Sequence, residues 1–264
     1  MPTLFGLFGF ILLVIETLIG MVGNGFIAII NYIDWFSSRK LSPADMILSC
    51  LGLFRFAFHA IGIQTAILLL FFIDTFQMRN IYIACSASWA FVNTANLWFA
   101  AWLSVLYCVK IANFSHPLFL QMKRRFPGMV PWLLLGTVVF SAITTTIKTI
   151  MFFPCIIFFS SSILLLTSLW RHKNHLRNSV RDVRTEVHLN AIKALASFSI
   201  LYVSSFFVEI LATFFTWNGM QAIEMNFLLL HVVAAYSSGH AIILIFINPK
   251  LKQESVKMLH QLKC

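Results

Sequence analysis

The residues able to do chemistry in this sequence are a few polar side chains set within long apolar runs. Arg55 is the only Asp, Glu, Lys or Arg between Met46 and Ile73. An ionisable group in hydrocarbon is costly, so it marks a functional position by default. Asn24, flanked by Gly23 and Gly25, falls at a similar depth in the first apolar run, and Ser238 and His240 do so in the last. These side chains suit a polar knot of Asn24, Arg55 and His240, the repackable kind of core that a conformational switch requires; the same set also fits helix packing alone. Trp89, Asn93 and Asn96 follow at i, i+4 and i+7, which puts them on one face of a helix. An aromatic platform beside amide donors and acceptors suits small, mostly apolar ligands that need a few orienting hydrogen bonds. Asn is also a common glue between membrane helices, so that alternative stays open. Glu209 and His231, in the outer halves of the sixth and seventh runs, add polar groups to the same cavity or serve as rim and packing residues, while Glu16 in the first run reads as reaching the outer interface.

No covalent or metal chemistry accompanies them. There is no nucleophile elbow, HExxH or P-loop. The five Cys are scattered, without CxxC or a Cys/His cluster. No enzyme activity, metal or cofactor is expected.

The elements that position these residues follow from composition. The 264 residues are 59% hydrophobic and only 11% charged, with 28 Phe; a soluble domain carries about 25% charged residues. A spanning helix needs about 20 apolar residues. Runs of that kind cover Met1–Ile33, Met46–Ile73, Ile81–Val109, Pro127–Ile147, Thr149–Trp170, Ala194–Ile223 and Met225–Ile247. The first lacks a basic start and is read as a retained span. Pro127 to Trp170 as one helix would be about 65 Å long, roughly twice the hydrocarbon thickness. Basic residues flank both its ends, so a hairpin with its tip near Lys148 is expected instead. The fold class is therefore all-α: a seven-transmembrane helix bundle, an arrangement that G protein-coupled receptors share.

Orientation comes from the basic residues. Sixteen of the 19 Lys and Arg fall in three alternate loops and the tail. The positive-inside rule then places the N-terminus outside and the tail in the cytoplasm of a multi-pass membrane protein, with the plasma membrane as the expected location. The expected division is a transmembrane domain over residues 1–248 and a short cytoplasmic tail over 249–264. The net charge of +10 reads as topology and attraction to acidic lipid headgroups, with no nucleic acid partner. The tail, with Leu251, Met258, Leu259 and Leu262 among lysines, suits a helix lying on the membrane surface.

Specific motifs then appear in order. Leu41-Ser42-Pro43-Ala44-Asp45-Met46-Ile47-Leu48 leading to Arg55-Phe56 resembles the second helix of the bitter taste (type 2 taste) receptors. Leu97-Trp98-Phe99-Ala100, Leu103-Ser104-Val105-Leu106-Tyr107 and Lys110-Ile111-Ala112-Asn113-Phe114-Ser115 resemble that family's third helix and second inner loop. Ser168-Leu169-Trp170-Arg171-His172, then His188, Ala191, Lys193, Ser197 and Phe198, then Ser238-Gly239-His240 and Lys250-Leu251-Lys252-Gln253 complete the series. Rhodopsin-like receptors fit less well, because Tyr107-Cys108-Val109 stands where they carry an acidic-Arg-Tyr triplet. The resemblance implies a receptor that binds small bitter compounds and activates a heterotrimeric G protein of the gustducin/inhibitory class. By position it implies ligand contacts at Trp89 and Asn93, with Phe206 and Glu209 facing the cavity. It also implies G protein contact at Lys110, His188 and Lys193, which fit solvated loop charges equally.

The chain departs from the family pattern in its length. The second outer loop is nearly absent, with Thr144 to Pro154 serving as helix ends and loop together, and Pro154 stands near the start of the fifth helix. Ser237 replaces a frequent Pro, and Ala241 a usual Ser. The alternatives to a signalling receptor are a deletion or splice variant with impaired signalling, or a non-signalling membrane scaffold.

Overall fold

The structure, a computed structural model, describes residues 4–111, 117–144, 152–176 and 223–263, with parts of 199–214. Every regular element among them is helical. In chain order they are α1 (Leu4–Ser38), α2 (Pro43–Phe71), the short α3 (Ile73–Gln77), α4 (Arg79–Ile111), α5 (Pro117–Thr144), α6 (Phe152–Leu176), α7 (Ile223–Ile247) and α8 (Pro249–Lys263). The described residues between 199 and 214 are helical too. With that stretch taken as the sixth crossing segment, α1, α2, α4, α5, α6 and α7 are the first to fifth and the seventh.

Local signals set the helix ends. Ser42 caps α2: its Oγ accepts from the Asp45 N–H at 3.2 Å and donates to the Asp45 carboxylate at 2.7 Å. Pro43 follows at the first helical position, where a missing N–H costs nothing. Asn248 caps α8 through its Oδ1, which accepts from the Lys250 N–H at 3.0 Å. Pro249 again comes next and turns the chain from α7 into the tail helix.

Five described helices are long and apolar enough to cross a membrane: α1, α2, α4, α5 and α7. Phe153–Leu165 of α6 adds a shorter apolar helix. α5 and α6 are separate helices, which sets aside a single oversized span; Lys148, the expected hairpin tip, lies outside the described residues. α4 is the most enclosed of the crossing helices. It packs against α2, α5 and α6, while α1 lies between α2 and α7.

Large apolar side chains such as Phe8, Ile29, Phe36, Trp132 and Phe246 point outward, as a lipid solvent allows. Inside, small residues let the backbones approach. A Cβ on Gly52 would stand 2.8 Å from the Asn24 carbonyl oxygen, and one on Gly20 would overlap the His59 ring. Such contacts, with buried hydroxyls, bind helices where lipid removes the hydrophobic drive. α6 follows that rule: Cys155, Phe158, Ser162 and Leu165 share a face buried on α4. There the Ser104 Oγ lies 3.0 Å from Ser162 Oγ and accepts from Ser161 Oγ at 2.8 Å.

Candidate ligand cleft and polar core

Arg55 is the largest fully buried polar side chain, 1% exposed in the middle of α2. Its Nη2 donates to the Tyr236 hydroxyl at 2.8 Å and its Nη1 meets the His240 Nδ1. The guanidinium also lies 5.0 Å from the centre of the Tyr236 ring, so the pair combines a hydrogen bond with a cation–π contact. Tyr236 and His240 are one helical turn apart on α7 and their rings stack. One turn along α2 from Arg55, His59 approaches Ser237 Oγ at 3.1 Å. Asn24 donates from Nδ2 to the Gly20 carbonyl at 2.8 Å and reaches Ser237 Oγ at 3.4 Å.

Asn24, Arg55 and His240 are thus brought together through α7. Two of the partners, Tyr236 and His59, were not singled out from the sequence. The signal for both was spacing: each stands four residues from a residue that was, and so shares its helix face. Ser237 also has a use. Proline at that position would offer no hydroxyl, whereas Ser237 serves both Asn24 and His59 within the continuous α7.

Beside this core lies a narrow cleft lined by Arg55, Phe58, Asn93, Asn96, Leu97, Val233, Tyr236 and Ser237. Its free volume of about 10 Å³ is room for roughly one water molecule. Asn93 and Asn96 are both buried there, on the inward face of α4. The Asn96 Oδ1 has no hydrogen-bond partner among the described residues, so an acceptor is left over beside the cleft. Trp89 stands one turn from Asn93 and packs on Phe58, with ring centres 4.3 Å apart. It borders the cleft through that phenylalanine. Phe206 packs at the edge of the Phe158–Tyr202 cluster, and Tyr202 meets Tyr236 edge-on at 6.2 Å.

His231 lies away from the cleft lining. Its Nδ1 is 3.0 Å from a carboxylate oxygen of Glu16, and Ser238 Oγ donates to the Glu16 carbonyl at 2.8 Å. Glu16 therefore fastens α1 to α7 rather than simply reaching the outer interface. Lys110 is exposed in the last turn of α4. Glu209, His188 and Lys193 lie outside the described residues.

The buried polar core thus adjoins an amide-lined cleft within a helix bundle. The comparisons with known proteins identify the setting. The taste receptor protein family (TAS2R) matches residues 1–151 and 144–263. The chain belongs to the type 2 taste receptor family. It is 33% identical to taste receptor type 2 member 1 of Pan paniscus, with 97% of this chain and 96% of that protein aligned. It is 32% identical to taste receptor type 2 member 8 of Pongo pygmaeus, over 96% of this chain and 95% of that protein. Among solved structures, squid rhodopsin superposes with a TM-score of 0.70 at 13% identity, covering 99% of this chain and 87% of that one. That likeness shows the fold, a seven-transmembrane helix bundle. Membership of the taste receptor family makes it a bundle of the G protein-coupled receptor type, in a multi-pass protein of the plasma membrane. Taste receptors are a receptor family rather than an enzyme family.

The same comparisons place the shortening of this receptor. The alignment with member 1 runs over 297 positions against a chain of 264 residues, so at least 33 positions of the relative have no counterpart here. The two family matches overlap at 144–151, between the end of α5 and the start of α6. The family match therefore breaks between the fourth and fifth crossing helices.

Proposed function

We propose that this receptor binds small bitter compounds from the outer side of the membrane, over residues 1–248, and activates a gustducin-type heterotrimeric G protein at its cytoplasmic face. The observation that carries this reading is the join between cleft and core. Arg55, Tyr236 and Ser237 belong to both, so a ligand that moves the cleft wall also moves hydrogen bonds tying α2 to α7. Asn93 and Asn96 supply orienting hydrogen bonds and Phe58 and Trp89 the apolar platform. Phe206 and Glu209 extend the wall on the sixth segment. The cleft is nearly closed in this state, so agonist binding requires α4 and α7 to separate. Lys110, His188 and Lys193 contact the G protein at the inner ends of their helices.

The test is ligand-evoked calcium release in transfected cells, with surface expression verified and a broad bitter panel applied. Responses to several agonists support the reading. Surface protein that answers none of them contradicts it.

A second reading has its own observation, the deficit of at least 33 aligned positions. It makes the chain a deletion or splice variant of a taste receptor with impaired signalling. Inserting a full-length connection from a relative between residues 144 and 152 separates the two. A gain of surface expression and response favours the variant reading; an unchanged response favours the receptor as it stands.

A further inference from the structure

A basic surface lies in the first turns of α5, outside the lining of the ligand cleft. Leu120, Gln121, Arg124 and Arg125 form it on one open face of the helix. Gln121 precedes the two arginines by three and four residues, so the three side chains share one helix face. Both arginines are exposed. Among the described residues the ion pairs involve Glu16, Asp34, Asp45 and Glu254, and none reaches this cluster. The sequence explains why: no Asp or Glu occurs between Asp74 and Asp182, so α4, α5 and α6 carry no carboxylate. Counter-charge for Arg124 and Arg125 must come from outside these helices.

Helix length fixes where the cluster sits. Pro127 to Thr144 is uncharged, and its 18 residues rise about 27 Å, close to the roughly 30 Å of the hydrocarbon core. Arg124 and Arg125 therefore lie within a turn of the hydrocarbon edge, at the depth of the lipid phosphates. Leu120, Met122 and Met129 are exposed around them and suit the boundary with the acyl chains. Phe126 is buried, 6.4 Å from the Trp102 ring, which anchors this turn to α4.

We propose that Gln121, Arg124 and Arg125 bind the headgroup phosphates of an anionic phospholipid in the cytoplasmic leaflet, preferring an inositol lipid that carries phosphomonoesters over phosphatidylserine. Guanidinium forks match phosphate oxygens two at a time, which an ammonium cannot do. Two adjacent forks with an amide donor offer more hydrogen bonds than one phosphodiester monoanion uses. A phosphomonoester carries nearly two charges and three acceptor oxygens, and uses them all. The choice of leaflet rests on the cytoplasmic placement of the α5 start in the proposed function; the lipid chemistry does not.

The test uses the full-length receptor in phosphatidylcholine nanodiscs doped with phosphatidylserine or a bisphosphorylated inositol lipid, with retained lipid counted by native mass spectrometry. One basic side chain at a leaflet surface is worth about a fivefold affinity. The Arg124→Gln/Arg125→Gln variant is expected to retain inositol lipid roughly 25-fold more weakly, and Arg125→Gln alone about fivefold more weakly. Arg124→Lys/Arg125→Lys keeps the charge, loses the forks and falls between. Lys257→Gln, in the tail helix where Lys257 pairs with Glu254 at 2.7 Å, is expected to leave the preference for the inositol lipid over phosphatidylserine unchanged. Thermal melting confirms that each variant is folded, and the single variant carries the test if the double one is not. Equal retention in the arginine variants overturns the proposal, as does a wild type that retains both anionic lipids alike. Binding of soluble inositol phosphate as tightly as the lipid overturns the membrane as source. Loss of G protein coupling with unchanged lipid retention assigns the cluster to a protein partner and overturns it too. Nanodiscs present both leaflets alike, so a negative result here is independent of orientation, which terminal tags report separately.

Discussion

At the scale of single residues, the receptor depends on side chains that lipid would otherwise reject. Arg55 persists in the bundle because its two terminal nitrogens face two acceptors on one helix, Tyr236 and His240. Arg55→Lys tests that geometry. Lysine keeps a charge but concentrates it in one ammonium without the planar fork. We expect a lower yield of folded receptor or a shifted basal activity, read by surface labelling and by agonist-free calcium signal; wild-type values in both would remove the polar core from the account. Asn93 is the corresponding test in the cleft. Asn93→Ala is expected to cost agonist potency up to about tenfold, the scale of one net hydrogen bond, with surface expression unchanged. Equal concentration–response curves across several agonists would take Asn93 out of the binding site. Arg55, Asn93 and Asn96 were legible in the sequence because a charge or an amide within an apolar run has few tolerable places to go. Tyr236 and His59 were not. Their rings are amphipathic and sit in membrane helices for many reasons, and only the packing of α2 on α7 makes them partners.

At the scale of helices, close backbone approach holds α1, α2 and α7 together. Gly52 lies against the Asn24 carbonyl at the distance where a Cβ would stand at 2.8 Å, and backbone cannot rotate away as a side chain can. Helix propensity favours Ala over Gly by about 1 kcal/mol, so in isolation Gly52→Ala would stabilise α2. We expect the opposite sign in the intact receptor: a lower melting temperature in detergent, because α1 must move. A raised melting temperature would refute the packing. The tail helix is fastened differently. Lys250 Nζ donates to Asp34 at 2.7 Å and to Asn31 at 3.0 Å, with Asp45 at 3.9 Å. The pair is partly exposed, so its contribution is small, under about 1 kcal/mol. Lys250→Ala is expected to speed amide hydrogen exchange across residues 249–263 modestly while α7 stays protected; unchanged exchange in the tail would leave Leu251 packing alone to hold it. The existence of the crossing helices was readable from apolar runs, and that of the tail helix from its leucines spaced among lysines. The ion pair under α1 was not, because nothing local links position 34 to position 250.

At the scale of the whole molecule, the chain keeps the receptor fold while aligning with its relatives over more positions than it has residues, and its family match breaks between the fourth and fifth crossing helices. The core of the bundle tolerates this because α6 still packs on α4 through the Ser104–Ser161–Ser162 hydroxyls and Phe158. Residues 145–151, where the junction falls, lie outside the described residues, so the shortening is read from sequence length and the family match. The class of fold was legible from span counting, and the family from motifs in order. The tightness of the cleft was not, since it depends on how far α4 and α7 stand apart. The proposed function requires an odd number of crossings, with ligand entry on one side of the membrane and the basic loops on the other. Epitope tags at the two termini test this most directly, stained on intact and then on permeabilised cells. The account expects the N-terminal tag on intact cells and the C-terminal tag only after permeabilisation; both tags appearing on the same side would contradict it.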